Sequence, residues 1–151
     1  MLVYTFHKYW TAPDREVIRD YLDFGERFKV PLYMGESGEN DNEWIGKFRR
    51  TLEENGVGWC FWPYKKVGAT SCVANIRPPA HYEELIRFAD APRQTFEEIR
   101  KAREAAPRAK EALLDLPRAS RVAGAEINRA YLEALGFSKQ IGGAQMSAQP
   151  R

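Results

Sequence analysis

Apolar and polar positions follow two periods along this chain, and each switch between them marks an element. Residues 2–7 are aromatic and β-branched, the composition of a strand. Residues 14–29 then place Val17, Ile18, Tyr21, Leu22, Phe24 and Phe28 at helical spacing with one buried face, and Pro13 stands where a helix entrance tolerates proline. Residues 30–35 read as a second strand. Asn40 followed by Glu43 reads as an N-cap with its reciprocal partner. It opens a helix striped by Trp44, Ile45, Phe48 and Leu52 and stopped by Asn55-Gly56. Residues 57–62 are almost all apolar, as in a strand covered on both faces of a parallel sheet.

Residues 63–79 read as a long loop with Tyr64, Cys72, Val73 and Ile76 available for packing. Helices are expected over residues 81–89 and 95–105, the latter with Glu97-Glu98 ahead of Arg100-Lys101 on a solvated face. Pro107 and Pro117 punctuate two more helical stretches, 108–116 and 118–135, ending at Gly136. The Gly-, Ser-, Ala- and Gln-rich residues 138–151 read as a frayed tail. The order strand-helix-strand-helix-strand, with a repeat of roughly 25 to 30 residues, predicts right-handed parallel βα units.

Composition narrows the function classes. At 151 residues, 44% hydrophobic and 29% charged, the chain fits one soluble globular domain. Its 23 basic and 21 acidic residues leave a net charge of +2, which gives no reason to expect nucleic acid or an anionic membrane as partner. No apolar run approaches the length of a membrane span, and residues 1–6 lack the basic region and cleavage site of a secretory leader. Neither G-x-G-x-x-G nor G-x-x-x-x-G-K-[ST] follows a strand, which argues against a nucleotide-binding sheet. Cys60 and Cys72 lack metal-ligand spacing and are too few for a disulfide framework; two reduced, buried thiols are preferred over one disulfide. No metal or other cofactor is expected.

Chemistry collects at the carboxyl ends of the three expected strands: His7-Lys8-Tyr9-Trp10, Gly35-Glu36-Ser37-Gly38 and Trp59-Cys60-Phe61-Trp62-Pro63-Tyr64. In parallel βα architectures the loops at that face converge and build active sites. Glycines on either side of Glu36 let the backbone turn sharply and a ligand approach closely. His7 and Tyr9, two apart on a strand, share a face, and either beside Glu36 favours its charged form. A carboxylate, an imidazole, a phenol and exposed indoles together suggest carbohydrate, because rings stack on sugar faces while polar groups take the hydroxyls.

These three motifs, in order and spacing over residues 1–90, resemble the last three barrel strands of glycoside hydrolase family five, the cellulase-like retaining (β/α)8 barrels. The resemblance implies an α/β fold, a partial (β/α)8 barrel of strands six to eight with their helices at residues 1–92. A helical C-terminal extension would follow at 93–136 and a flexible tail at 137–151. It implies Glu36 as nucleophile, Tyr9 placed to hydrogen-bond it, His7 lining the same subsite and Trp62 as sugar platform, with Trp10, Asn40, Lys65 and Lys66 as peripheral contacts. The partner would be a β-linked oligo- or polysaccharide, and the parent enzyme secreted or extracytoplasmic.

A retaining glycosidase needs two carboxyls about 5 Å apart, one to attack and one to protonate the leaving oxygen. The family's acid/base follows an asparagine at strand four. Here Asn42-Glu43 opens a helix, and Glu54-Asn55 closes one in the reverse order. A whole barrel takes about 250 residues. The expectation is therefore the C-terminal part of the enzyme, begun inside strand six. Alone it would hydrolyse little or nothing, and it would self-associate or take up a complementing barrel half. Two other readings stand beside it: a non-catalytic α/β carbohydrate-binding or scaffold module, and one half of a split barrel.

Overall fold

The computed structural model describes residues 2–137. The chain is a mixed α/β protein with two small sheets and no closed barrel among the described residues. It divides into two compact units. The first takes Met1–Tyr64, Thr70–Val73 and the segment beginning at Asn128; the second takes Lys65–Ala69 and Ala74–Ile127. The tail expected from residue 137 lies, past Phe137, outside the described residues.

In the first unit, β1 (Tyr4–His7), β2 (Leu32–Glu36) and β3 (Gly58–Trp59) form a parallel sheet in the order β1-β2-β3. Helices α1 (Arg19–Phe28) and α2 (Asn42–Glu54) are the crossovers. The α1 region opens with a 3-10 turn at Glu16–Ile18 rather than running α-helical from residue 14. Their apolar stripes meet Phe6 and Met34 from the strands in one core with Ile18, Phe48, Leu52 and Val57. Phe6 stacks on Tyr21 with ring centroids 4.1 Å apart, and Trp44 tilts against Phe48 at 4.9 Å. The opposite face stays open: Thr5, His7, Tyr33, Gly58 and Cys60 are exposed.

The N-cap of α2 is Asp41, not Asn40. The Asp41 carboxylate accepts from Trp44 N at 2.8 Å, while the Asn40 side chain accepts from Asp41 N at 2.9 Å. Either residue type can cap, and the strand exit decides which one does. The third strand is regular only over Gly58–Trp59, although ladder bonds continue, Cys60 N to Met34 O at 2.9 Å and Trp62 N to Ser37 O at 2.5 Å. Cys60 is exposed and only Cys72 buried, so the expectation of two buried thiols holds for one of them; neither is in a disulfide.

A short helix, α6 (Arg129–Ala134), returns to the first unit and covers α2. Arg49 Nε donates to Ala134 O at 3.0 Å, and Ile45, Tyr131 and Leu135 form a second small core. Asn128 caps α6 through Tyr131 N at 3.1 Å, and its backbone N–H donates to Val73 O at 2.9 Å.

The second unit begins where a loop was expected. Residues 63–79 contain β4 (Lys65–Val67) and β5 (Ala74–Ile76), paired in parallel, with β6 (Glu126–Ile127) antiparallel to β5. Helices α3 (Tyr82–Asp90), α4 (Phe96–Ala105) and α5 (Ala109–Ala119) follow. Thr95 and Glu98 close a capping box on α4. Pro117 does not end α5. In the last turn its missing N–H costs a single bond, and Ser120 N still donates to Leu116 O at 2.9 Å. The single helix expected over 118–135 is instead the end of α5, a 3-10 turn at Val122–Gly124, β6 and α6.

Candidate functional site

The carboxylate lies at the last residue of β2. A regular parallel register would set His7 beside Gly35, but the β1/β2 register shifts between Phe6 and His7, so that His7 pairs with Glu36. The His7 Nδ1 then stands 4.0 Å from Glu36 Oε2, an ion pair when the imidazole is protonated. The Tyr9 hydroxyl donates to the other oxygen, Oε1, at 2.8 Å. Both residues reach Glu36, though not through a shared strand face: β1 ends at His7, and Tyr9 lies in the turn beyond it. That turn is tied down from the α2 side, where Trp44 Nε1 donates to Thr11 O at 2.7 Å and Thr51 Oγ1 to Pro13 O at 3.0 Å.

Burial first, then the hydrogen bond to the Glu36 carboxylate and the nearby charges of Glu36 and Glu39, push the Tyr9 phenol far above its ordinary range. Tyr9 is thus a persistent proton donor to Glu36. A carboxylate with one oxygen held by a phenol and the other flanked by an imidazole has a fixed orientation. That is what a nucleophile or an anchoring acceptor requires.

The backbone around Glu36 is tightly built. A Cβ on Gly35 would stand 2.5 Å from Thr5 Oγ1 and 3.4 Å from His7 Nε2, so a larger residue there would push the Thr5 hydroxyl aside and fill the space against the imidazole. Gly38 forms an isolated bridge to Trp62, which links the exit of β2 to the end of the third strand region. The Trp62 ring is 54% exposed, and Trp10, tilted on Tyr9 at 5.4 Å, is 73% exposed. Rings with one free face suit the apolar face of a sugar.

The structure therefore gathers Glu36, His7, Tyr9, Trp10 and Trp62 in the first unit. Asn40 is there too, engaged with Asp41 N. Lys65 and Lys66 belong to β4 of the second unit, and Lys65 Nζ donates to Ser120 O at 2.8 Å. Among the described residues no group of three or more His, Cys, Asp or Glu could hold a metal ion, and no helix is long and apolar enough to cross a membrane.

Sequence reasoning missed Ser37, Thr5 and Tyr131. The Ser37 hydroxyl is wholly buried beside Glu36 with no hydrogen-bond partner among the described residues. Tyr131, from α6, is 1% exposed; burial, then the nearby Cys72 and Cys60, push its phenol up to about 12. The Asn128 cap was the one local signal for this helix, and nothing in it announces a return to the sheet. Because the native phenol titrates above the unfolded value, the stability it contributes is complete below pH 10 and falls as pH rises towards 12. The expected loss for Tyr131 is about 1 kcal/mol by pH 11. Urea midpoints at pH 9 and 11 check it: Tyr131→Phe should show a smaller drop than the parent, and an equal drop would refute the assignment.

No family model, no curated protein and no solved structure matches the chain.

Proposed function

We propose that this chain is the nucleophile-bearing part of a retaining β-glycoside hydrolase. The observation that carries the reading is the Tyr9–Glu36 hydrogen bond of 2.8 Å at adjacent strand ends, with His7 on the second carboxylate oxygen. Glu36 attacks the anomeric carbon, Tyr9 holds it oriented, His7 lines the subsite and Trp62 stacks the sugar. Trp10 and Asn40 are peripheral contacts under the same reading. The fold belonging to it is a (β/α)8 barrel, with β1, β2 and β3 as strands six to eight. Support comes from the all-parallel pairing and from the open face holding Thr5, His7, Tyr33 and Cys60, since parallel sheets are as a rule covered on both faces. The partner is a β-linked oligo- or polysaccharide. A complementing barrel half, or self-association, covers the open face.

The general acid is the part this reading does not find at a strand end, so the chain alone turns over ordinary glycosides little or not at all. A 2-deoxy-2-fluoro-β-cellobioside with a dinitrophenolate leaving group bypasses the acid. Glu36 Oε bonds to C1, the C1–O bond breaks, and dinitrophenolate departs without a proton. The expected result is a stoichiometric adduct on Glu36 by mass spectrometry, absent in Glu36→Gln. No adduct on Glu36 would sink the enzymatic reading.

The exposed Trp62 and Trp10 favour a second reading, a non-catalytic carbohydrate-binding module. It is distinguished by cello-oligosaccharide binding that survives Glu36→Gln, is lost in Trp62→Ala and comes with no adduct.

A further inference from the structure

The second unit has a half-open pocket of about 400 Å3 among α3, α4 and α5, within the range of small-molecule sites. Its apolar wall comes from Leu85, Phe88, Pro107 and Leu113, and two cationic side chains, Arg103 and Lys110, join the lining. The Arg93 guanidinium stands over the Phe88 ring, 5.1 Å from its centroid. Leu113 is 54% exposed, an apolar side chain left facing water at the cavity.

The charges are distributed unevenly around this cavity. On α4 and α5 the neighbouring cations are paired: Arg100 with Glu97 and Glu104 at 2.8 and 2.7 Å, Lys101 with Glu97 at 3.5 Å, Arg108 with Glu111 at 2.7 Å and Arg118 with Asp115 at 2.7 Å. On α3, Glu84 is occupied by Arg108 N at 2.9 Å and His81 at 3.5 Å. Arg103 and Lys110 form no ion pair among the described residues. An apolar chamber carrying two uncompensated positive charges complements a ligand with an apolar body and an anionic end.

We propose that this cavity binds a small amphipathic carboxylate, its hydrocarbon body against Leu85, Phe88 and Leu113 and its carboxylate on Arg103 and Lys110. A neutral analogue of the same length loses the charge-assisted contacts, and a short carboxylate loses the apolar contact. The site lies wholly in the second unit, so it neither uses nor depends on the sugar reading of Glu36.

The test is titration of the full chain with decanoate below its micelle concentration, followed by calorimetry and amide chemical shifts. Saturable one-site binding is expected, with decanol at least about tenfold weaker and acetate without effect. The Arg103→Gln/Lys110→Gln variant changes two exposed side chains and should keep its helical circular dichroism while losing about tenfold in affinity. Leu113→Glu, which puts a like charge on the cavity wall, should abolish binding. The proposal is overturned if decanoate does not saturate, if decanol matches it, if either variant binds as the parent does, or if the shifts fall in the first unit.

Discussion

Replacing Gly38 by alanine should cost about 3 to 5 kcal/mol and release Trp62 from the sheet. Two effects add at this position. Gly38 has φ +130°, a conformation that side-chain-bearing residues rarely adopt, and a Cβ there would lie 2.1 Å from Trp62 O, a backbone atom with no freedom to swing away. The bridge between Gly38 and Trp62, with the bond from Trp62 N to Ser37 O, is what carries the ladder past Glu36. Gly56 provides the control. It also has positive φ, +67°, but a Cβ would meet nothing within 4 Å, so Gly56→Ala should cost only the backbone term, about 1 kcal/mol. Urea unfolding of the two variants, with Trp fluorescence as the probe of residue 62, checks the prediction. Equal costs would mean that the close approach at Trp62 is not what holds this turn.

Phe48→Ala should be as damaging, about 3 to 5 kcal/mol, through a different mechanism. Phe48 is fully buried on α2, in the core that joins Phe6 of β1, Met34 of β2 and Val57 ahead of β3. Its removal leaves a ring-sized void between strands and crossover helices, and strips Trp44 of its ring neighbour. Trp44 also anchors the turn after β1 through Thr11 O, so the loss should reach the Tyr9–Glu36 pair. The expected readout is a lower urea midpoint with a less protected Tyr9 phenol, seen as an earlier rise in tyrosinate absorbance. Phe48→Leu, which refills most of the volume, should recover the larger share of both. A Phe48→Ala protein with an unchanged midpoint would show that this core does not support the sheet.

The periodic parts of the chain were legible because their signals are local. Apolar runs marked β1, β2 and the start of β3, and the 3.6-residue stripes marked α1 to α3, because one buried face per element imposes its own spacing, while a charge pattern marked α4. The polar-aromatic clusters at three strand ends pointed to the site. Competing local options were not resolved in the same way. Asn40 and Asp41 both cap well, and only the exit of β2 selects Asp41. Pro117 reads as a stop, yet it stands late enough in α5 to be tolerated.

By itself the sequence determined that this is an α/β chain with parallel βα units and a carboxylate framed by glycines at a strand end, because each of these follows from residue type and spacing over a few positions. Tertiary structure alone decided the rest. The register shift between Phe6 and His7 sets an imidazole beside Glu36 instead of Gly35. The turn held by Trp44 and Thr51 brings the Tyr9 hydroxyl to the other oxygen. Residues 65–67 and 126–127 join one sheet, while α6 returns some 70 residues after β3 to bury Tyr131 against Ile45. Each of these pairs groups far apart in the chain, and their partners are chosen by which faces remain uncovered once the local elements have formed.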